Sequence, residues 1–316
     1  MAERSEGSSG LILGLDIGGT KTTVLIGSDR AEIFYRRRFK THPERGFEIT
    51  FRNICRSVEE VLREARRLGK MPESISVSIG GPLDVKEGII FSPPNLPGWD
   101  KIPLKGLLQQ RFGLPVYLEH DGNAGALAEY FFGAGQGFRN IIFMTLGTGL
   151  GAGLILNGRL YRGTTDTAGE IGHIRIAETG PVAYGKEGSL EGYCSGSGLA
   201  KLAQDLFPAR WSRGDVTAEE VGRLAGQGDA DALKVVQVAA KYLGRGLAIL
   251  VDILNPEVII VGSLALRLGR LLLGPAIREM HNESLSRAAS VCKVTVPALG
   301  ERLGDVAALC AAIYEK

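Results

Sequence analysis

Residues 11–27 have the sequence LILGLDIGGTKTTVLIG, in which two apolar runs flank a Gly-Gly-Thr turn. The pattern predicts a strand, a tight turn and a second strand, and residues 140–158, NIIFMTLGTGLGAGLILNG, repeat it. Because glycine has no Cβ, the backbone N–H groups of such a turn can face a phosphate. One turn of this kind fits a plain β-hairpin equally well. Two turns, at matching places in two halves, favour a nucleotide clamped between two domains.

Predicted strands and helices alternate along the rest of the chain, which indicates the α/β class. Apolar residues recur at helical spacing over 47–68, for example, and buried-type strands are predicted at 75–80 and 257–263. We predict an N-terminal domain over 11–124 and a C-terminal domain over 125–303. A closing helix at 304–316 is expected to pack back on the first domain. Residues 163–192 are rich in Gly, Thr and Pro and are predicted to be a loop.

Composition argues against several classes of protein. The chain of 316 residues carries 37 Lys and Arg against 35 Asp and Glu, a net charge of +2, so no strong field attracts nucleic acid or an anionic membrane. Its four cysteines are widely spaced, which favours a reducing compartment over a disulfide framework. Residues 1–10 lack the apolar core of a signal peptide. No run approaches the ~18 apolar residues of a membrane span. We therefore expect a cytoplasmic protein with neither nucleic-acid nor membrane partners.

Several polar side chains stand where the predicted strands end. Asp16 could hold a hydrated Mg²⁺, and Thr20 and Lys21 could add a hydroxyl and a positive charge to the first turn. Asp121 follows the strand VYLEH, and its carboxylate is a candidate general base. It could equally be the N-cap of the helix that follows. These residues alone leave both roles of Asp121 open.

Taken together, the motifs resemble the ROK family (repressor, open reading frame, kinase) of sugar kinases and regulators, within the actin-like ATPase superfamily. The matching segments run in the family's order over nearly the whole chain: Asp16–Lys21, Gly80–Asp84, Pro94–Trp99, Asp121–Ala124, Leu146–Gly153, Gly169–His173 and Asn255–Gly262. The resemblance implies an α/β protein with two actin-like (ribonuclease H-like) domains. It also implies that ATP and a sugar bind in a cleft between them, and that the protein forms a homodimer.

Site residues follow from the same resemblance. It implies that Asp121 is the catalytic base, while Asp16, from its place at the end of the strand, is expected to hold Mg²⁺ through water. The residues expected at the sugar are Gly81, Asn95, His120, Asp121, Glu170, His173 and Glu191. Those expected at ATP are Gly18, Gly19, Thr20, Lys21, Thr145, Gly147, Thr148, Gly149 and Gly262.

The sequence departs from the family at three places. Most members bind zinc with the motif histidine and three cysteines, but Val182, Tyr184 and Ser189 hold the cysteine positions here. A structural zinc needs about four N or S ligands, so we predict no zinc. His120 replaces the usual Asn before the catalytic Asp, so either it reads a different hydroxyl pattern or the accepted sugar is not plain glucose. Ser263 replaces the second glycine of a Gly-Gly pair near the adenosine.

The predicted function is ATP- and Mg²⁺-dependent phosphorylation of a hexose or N-acetylhexosamine hydroxyl, as in a glucokinase. The alternative is a non-catalytic sugar sensor or regulator of the same family. Regulators of the family carry an N-terminal helix-turn-helix domain, and only ten residues precede the first predicted strand here. The candidate base and both phosphate turns are present, so the kinase is favoured. Whether ATP or polyphosphate is the donor stays open.

Overall fold

The computed structural model describes residues 10–212 and 216–315. Residues 1–9, for which no signal peptide is predicted, and Lys316, the last residue of the predicted closing helix, lie outside the described residues. The chain divides into two compact units. Unit 1 contains the chain up to Ala128, the segment Gly163–Thr167 and the chain from Glu301, and unit 2 contains Glu129–Arg162 and Ala168–Gly300.

Fifteen strands and eleven α-helices lie in the described residues. The strands are β1 Leu11–Ile17, β2 Lys21–Ser28, β3 Ile33–Lys40, β4 Ser74–Ile79, β5 Leu83–Asp84, β6 Ile89–Phe91, β7 Asp100–Ile102, β8 Val116–His120, β9 Ile141–Leu146, β10 Leu150–Leu156, β11 Arg159–Leu160, β12 Val182–Ala183, β13 Lys186–Glu187, β14 Val258–Val261 and β15 Lys293–Thr295. The helices are α1 Phe47–Arg67, α2 Leu104–Phe112, α3 Asp121–Phe132, α4 Leu190–Cys194, α5 Gly196–Leu206, α6 Ala218–Gly226, α7 Ala230–Leu254, α8 Leu264–Leu268, α9 Arg270–Glu283, α10 Ser286–Ala289 and α11 Leu303–Glu315.

Unit 1 is built on a five-stranded sheet in the order β3-β2-β1-β4-β8. The first three strands are antiparallel, and β1, β4 and β8 are parallel. Side chains alternate between the two faces of a strand. Leu13 and Leu15 therefore join the apolar cluster that includes α1, whereas Gly14 faces Ala308 and Leu309 of α11. The sheet thus has a helix on each face.

Unit 2 repeats this topology with the order β11-β10-β9-β14-β15. Here β9, β10 and β11 are antiparallel, and β9, β14 and β15 are parallel. Its main apolar cluster joins this sheet to α7 and α9. The shared strand order places the two glycine turns at equivalent positions, after β1 and after β9. The predicted α/β class is confirmed.

The structure adds elements that the sequence pattern does not predict. The segment 163–192 contains a 3-10 helix at Ile171–His173, the hairpin β12–β13 and the start of α4. A small sheet of β5, β6 and β7 follows the first parallel strands of unit 1. These strands have two or three residues, too few to display a periodicity. Among the described residues, no helix combines the length and the apolar character needed to cross a membrane.

Three short pieces of the predicted C-terminal range group with unit 1: residues 125–128, Gly163–Thr167 and residues 301–303. Residues Gly163–Thr167 belong to that unit, and the Asp166 carboxylate accepts a hydrogen bond from the Val85 amide at 2.9 Å. The two residues lie far apart in the sequence, so their pairing depends on the tertiary structure.

Candidate active site

The turn after β1 is fixed by a threonine from a later part of the chain. The Gly18 amide donates to the Lys21 carbonyl at 3.1 Å, and the Thr41 hydroxyl donates to the Gly18 carbonyl at 2.6 Å. The Thr41 amide also donates to the Thr20 carbonyl. A Cβ on Gly19 would lie 2.5 Å from the backbone oxygen of Asn95, so only glycine fits where these two loops meet.

A cavity of about 80 Å³ in unit 1 lies beside this turn. Its lining includes six of the residues predicted for the site: Asp16, Gly18, Gly19, Gly81, Asn95 and Asp121. Thr20 and Lys21 are exposed at the rim of the turn. The structure therefore gathers residues from four separate sequence motifs around one small space.

The loop that carries Asn95 is anchored by two apolar side chains. Leu96 and Trp99 are almost completely buried, and the Trp99 indole packs edge-on against Phe47 with ring centroids 5.0 Å apart. Asn95 itself is exposed. Burial of its neighbours holds the loop in place and leaves the Asn95 amide available to a ligand.

Two carboxylates line the cavity, and the charge of Asp121 acts on Asp16. Burial raises the pKa of Asp16 to about 7; the charges of Asp121 and Asp305 add to this rise, while Lys21 and Arg38 oppose it. Asp121 is more accessible, with 52% of its side chain exposed, and its Oδ1 accepts the Gly122 amide at 2.7 Å. Ionisation of Asp16 therefore costs more than that of an exposed carboxyl, and a cation nearby would reduce this cost because it favours the charged form.

His120 lies beside Asp121 with its ring against Gly81. The Gly122 amide donates to its Nδ1 at 3.3 Å, and Asp121 Oδ1 lies 3.5 Å from the same nitrogen. An imidazole that accepts at Nδ1 carries its hydrogen on Nε2 when it is neutral. A Cβ on Gly81 would lie 2.7 Å from His120 Cδ2. Glycine at position 81 thus provides the room that this ring occupies.

The second glycine turn, in unit 2, is stabilised by hydrogen bonds at its base and at its tip. The Gly151 amide donates to the Thr145 hydroxyl at 3.0 Å across the base of the hairpin. At the tip, the Gly196 amide donates to the Gly147 carbonyl and the Ser197 hydroxyl to the Thr148 carbonyl, both at 2.7 Å. Support from the start of α5, and Ser197 in particular, was not expected from the sequence. Gly147 faces open space, so a ligand can approach its backbone closely.

Gly262 lies at the end of β14, next to β9. Its amide donates to the Met144 carbonyl at 2.9 Å, and a Cβ would lie 3.2 Å from the same oxygen. The following Ser263 has φ 44° and ψ −92°, a backbone conformation that favours glycine. Position 263 thus has a backbone conformation suited to glycine, although its residue is a serine.

The segment Gly169–His173 lies along β10. The Ala152 amide donates to the Gly169 carbonyl at 2.8 Å, and a Cβ on Gly172 would collide with the Leu150 carbonyl. Glu170 and His173 are exposed at the two ends of the 3-10 turn. Close packing of the glycines against the strand fixes where these two side chains emerge.

Glu191, the third residue predicted for the sugar in this half, is buried at the start of α4. Its Oε2 accepts the Leu150 amide at 2.8 Å and the Tyr184 hydroxyl at 2.9 Å. The Tyr184 ring lies over His173, with centroids 3.8 Å apart and planes 30° apart. Tyr184 is not among the site residues predicted from the sequence. It is noted there only because it stands at the position of one of the family's cysteines.

The residues around His173 do not fit the zinc ion that most family members carry. Val182 is apolar, the Ser189 hydroxyl caps α4 by accepting the Gly192 amide at 3.1 Å, and the Tyr184 hydroxyl donates to Glu191. The buried Cys194 thiol donates to the Ala239 carbonyl, and burial raises its pKa. Within residues 10–212 and 216–315, no group of three or more His, Cys, Asp or Glu is placed to hold a metal.

Comparisons with known proteins identify relatives that match nearly the whole chain, including the residues of the candidate site. The model of the ROK family matches residues 12–314. The glucokinase of Halalkalibacterium halodurans is 32% identical over 307 residues, which cover 93% of this chain and 92% of that protein. The xylose repressor of Caldicellulosiruptor bescii is 30% identical over 283 residues, 87% of this chain and 70% of that protein.

A solved structure is similar in fold as well as in sequence. The crystal structure of a ROK family glucokinase from Streptomyces griseus, in complex with glucose and AMPPNP, has a TM-score of 0.81 and 32% identity. The match covers 96% of this chain and 99% of that one. It confirms the predicted actin-like fold of two α/β domains.

Proposed function

Since this chain belongs to the ROK family, we propose that it is a sugar kinase that transfers the γ-phosphoryl group of ATP to a hydroxyl of a hexose or N-acetylhexosamine. Glucose-type sugars are the first candidates, because glucokinases are among its relatives. The observation that carries the proposal is the cavity in unit 1, where Asp121, Asn95 and the first glycine turn come together.

In this proposal Asp121 accepts the proton of the attacking sugar hydroxyl. Its half-exposed carboxylate lines the cavity, so a hydroxyl could come within hydrogen-bond distance, as a general base requires. Asn95, Gly81 and His120 would contact the other sugar hydroxyls. The Asn95 amide can both donate and accept, and a neutral His120 donates at Nε2. Polar groups of this kind recognise hydroxyls, because an unsuitable sugar leaves them unpaired.

ATP is the proposed phosphoryl donor, and both glycine turns would bind it. Backbone amides of Gly18, Gly19, Gly147 and Gly149 would face the phosphates, with Thr20, Lys21, Thr145 and Thr148 beside them and Gly262 near the nucleoside. Asp16 would hold Mg²⁺ through water, and its pKa of about 7 supports this role because a cation would relieve the cost of its ionisation. Bound Mg²⁺ neutralises the charge of the transferring phosphoryl group.

In unit 2, Glu170, His173 and Glu191 are the proposed remaining sugar contacts. Glu191 accepts two hydrogen bonds through Oε2, so its Oε1 is the oxygen that we assign to a sugar hydroxyl. A homodimeric state, expected from the resemblance, and a cytoplasmic location, expected from the composition, are part of the same proposal.

The second candidate is a sugar sensor without catalysis. The similarity to the xylose repressor of Caldicellulosiruptor bescii is the observation that favours it. A sensor would bind a sugar through the same residues, and ligand binding to the folded state would raise its thermal stability. It would release no ADP.

The test is coupled ADP release with Mg-ATP across hexoses, N-acetylhexosamines and ketohexoses. The matched variant is Asp121→Asn, which keeps the size of the side chain and removes the base. Sugar-dependent turnover that falls by at least ~100-fold in this variant would support the kinase, in line with the usual contribution of a general base. Sugar-dependent stabilisation without ADP release would support the sensor. Absence of both would contradict the two proposals together.

A further inference from the structure

Tyr184 is held in an unfavourable backbone conformation. It forms, with Gly185, the two-residue turn between β12 and β13, in which Val182 pairs with Glu187 and Ala183 with Lys186. Both turn residues have positive φ, 52° at Tyr184 and 71° at Gly185. Turns of this type favour Asn, Asp or Gly at both positions, and a bulky residue with positive φ is an outlier. A smaller residue would form the turn more easily, so a separate requirement for the tyrosine side chain is indicated.

Two contacts of the side chain are to residues of the proposed sugar site. Its ring covers the His173 imidazole at 3.8 Å, and its hydroxyl donates to Glu191 Oε2 at 2.9 Å. The ring restricts rotation of the otherwise exposed imidazole. The hydroxyl and the Leu150 amide together fix the rotation of the Glu191 carboxylate, since both bind the same oxygen.

We infer that Tyr184 is a positioning residue for sugar binding, which orients His173 through its ring and Glu191 through its hydroxyl. It does so where the residues present cannot bind the family's zinc ion. This inference rests on the proposed function, because it takes His173 and Glu191 as sugar contacts. Glu191 also accepts the Leu150 amide at the second glycine turn, a bond that does not involve Tyr184. Loss of the tyrosine contacts should therefore weaken sugar binding and spare ATP binding.

Two variants separate the contributions of Tyr184. Tyr184→Phe keeps the ring over His173 and removes the hydroxyl, whereas Tyr184→Asn removes both contacts and suits the turn better. Tyr161→Phe is the matched control, because Tyr161 is a half-exposed tyrosine of unit 2 outside the site. The measurements are KM for the sugar, KM for ATP, kcat, and the melting temperature without ligand.

We expect Tyr184→Phe to raise the sugar KM about five- to tenfold, the range for losing a hydrogen bond to a charged group near the surface. The expected kcat and ATP KM stay within about twofold of the wild type. Tyr184→Asn should raise the sugar KM further while its melting temperature equals or exceeds that of the wild type. An unchanged sugar KM in both variants would overturn the inference. So would a lower melting temperature with parallel losses in all kinetic constants, since that pattern describes a structural role.

Failure of the proposed function would be visible in the wild type. If the wild type has no turnover, calorimetric titration with the same sugar panel replaces the kinetic assay. Weaker sugar binding by Tyr184→Phe, with normal binding by Tyr161→Phe, would then support the inference while the kinase proposal fails. A wild type that neither phosphorylates nor binds any sugar would overturn both.

Discussion

Asp16 carries the most perturbed carboxylate of the candidate site, and its raised pKa has a consequence for stability. The folded state keeps the Asp16 proton up to about pH 7, whereas the unfolded state releases it near pH 4. The folded state therefore binds more protons between these values. The free energy of unfolding consequently falls as pH rises through this window.

Asp16→Asn is expected to raise the melting temperature of the ligand-free protein at pH 8 and to leave it unchanged near pH 4. The gain in free energy of unfolding is at most about 4 kcal/mol, the equivalent of three pKa units, and partial solvent access reduces it. Thermal unfolding at both pH values measures it, with Glu178→Gln, an exposed carboxylate, as the control. A variant less stable than the wild type at pH 8 would contradict the effect of burial on Asp16.

Gly81 and His120 form a steric pair, because the imidazole fills the space beside the glycine. Gly81→Ala is expected to displace the ring and raise the sugar KM about tenfold. In a His120→Asn background, Gly81→Ala should raise the sugar KM by a smaller factor, since the smaller Asn side chain can move away. Kinetics of the two single variants and the double variant form a cycle, and contacting residues commonly give a coupling of about 1 kcal/mol. Purely additive effects would argue against this pair.

Among the elements, α8 is preceded by a residue in an unfavourable backbone conformation. Ser263 occupies a backbone conformation in which a non-glycine residue costs about 1 kcal/mol or more. Ser263→Gly is therefore expected to raise the free energy of unfolding by about 1 kcal/mol, measured by urea denaturation. Ser286→Gly is the control, because Ser286 is a helical residue of α10 without a positive φ, so glycine there should lower stability, by at most about 0.5–1 kcal/mol. If both variants raise the free energy of unfolding, or both lower it, the strain at Ser263 is refuted.

At the scale of the whole chain, the last helix completes the first sheet. Asp305 of α11 is buried and forms ion pairs with Arg36 and Arg38 of β3, the latter at 3.4 Å. The C-terminal segment is thereby tied to a strand near the beginning of the sequence. A change at the buried Asp305 should cost more than a change at an exposed ion pair, because a buried polar group that loses its hydrogen-bond partners is not rescued by water.

Asp305→Asn is expected to lower the free energy of unfolding by about 2 kcal/mol, the range for hydrogen bonds to charged groups. Glu64→Gln is the matched control, since it removes one partner of the exposed Arg67–Glu64 pair at 3.1 Å. Exposed pairs contribute about 0–1 kcal/mol. Chemical denaturation of both variants is the measurement. Similar losses in the two would show that α11 does not depend on this ion pair.

Local patterns were sufficient for the fold class, and they identified six candidate residues that line one cavity in the folded chain. Apolar periodicity predicts the long strands and helices, because that periodicity reflects which face of an element is buried. The glycine turns and the Asp16–Lys21 and Asp121–Ala124 motifs could be read directly, since each is contiguous. The short strands β5 to β7 have too few residues to show an apolar periodicity. The roles assigned to the site residues stay predictions.

Contacts between residues distant in sequence depended on the tertiary structure. The pKa of Asp16 arises from burial and from Asp121, some hundred positions away, and the fit of His120 against Gly81 joins the end of β8 to the loop after β4. Tyr184 is the clearest case. In the sequence it is a missing zinc ligand, whereas in the folded chain it contacts His173 and Glu191. Sequence patterns record which residues are buried and where the chain turns, but packing between elements decides which side chains meet.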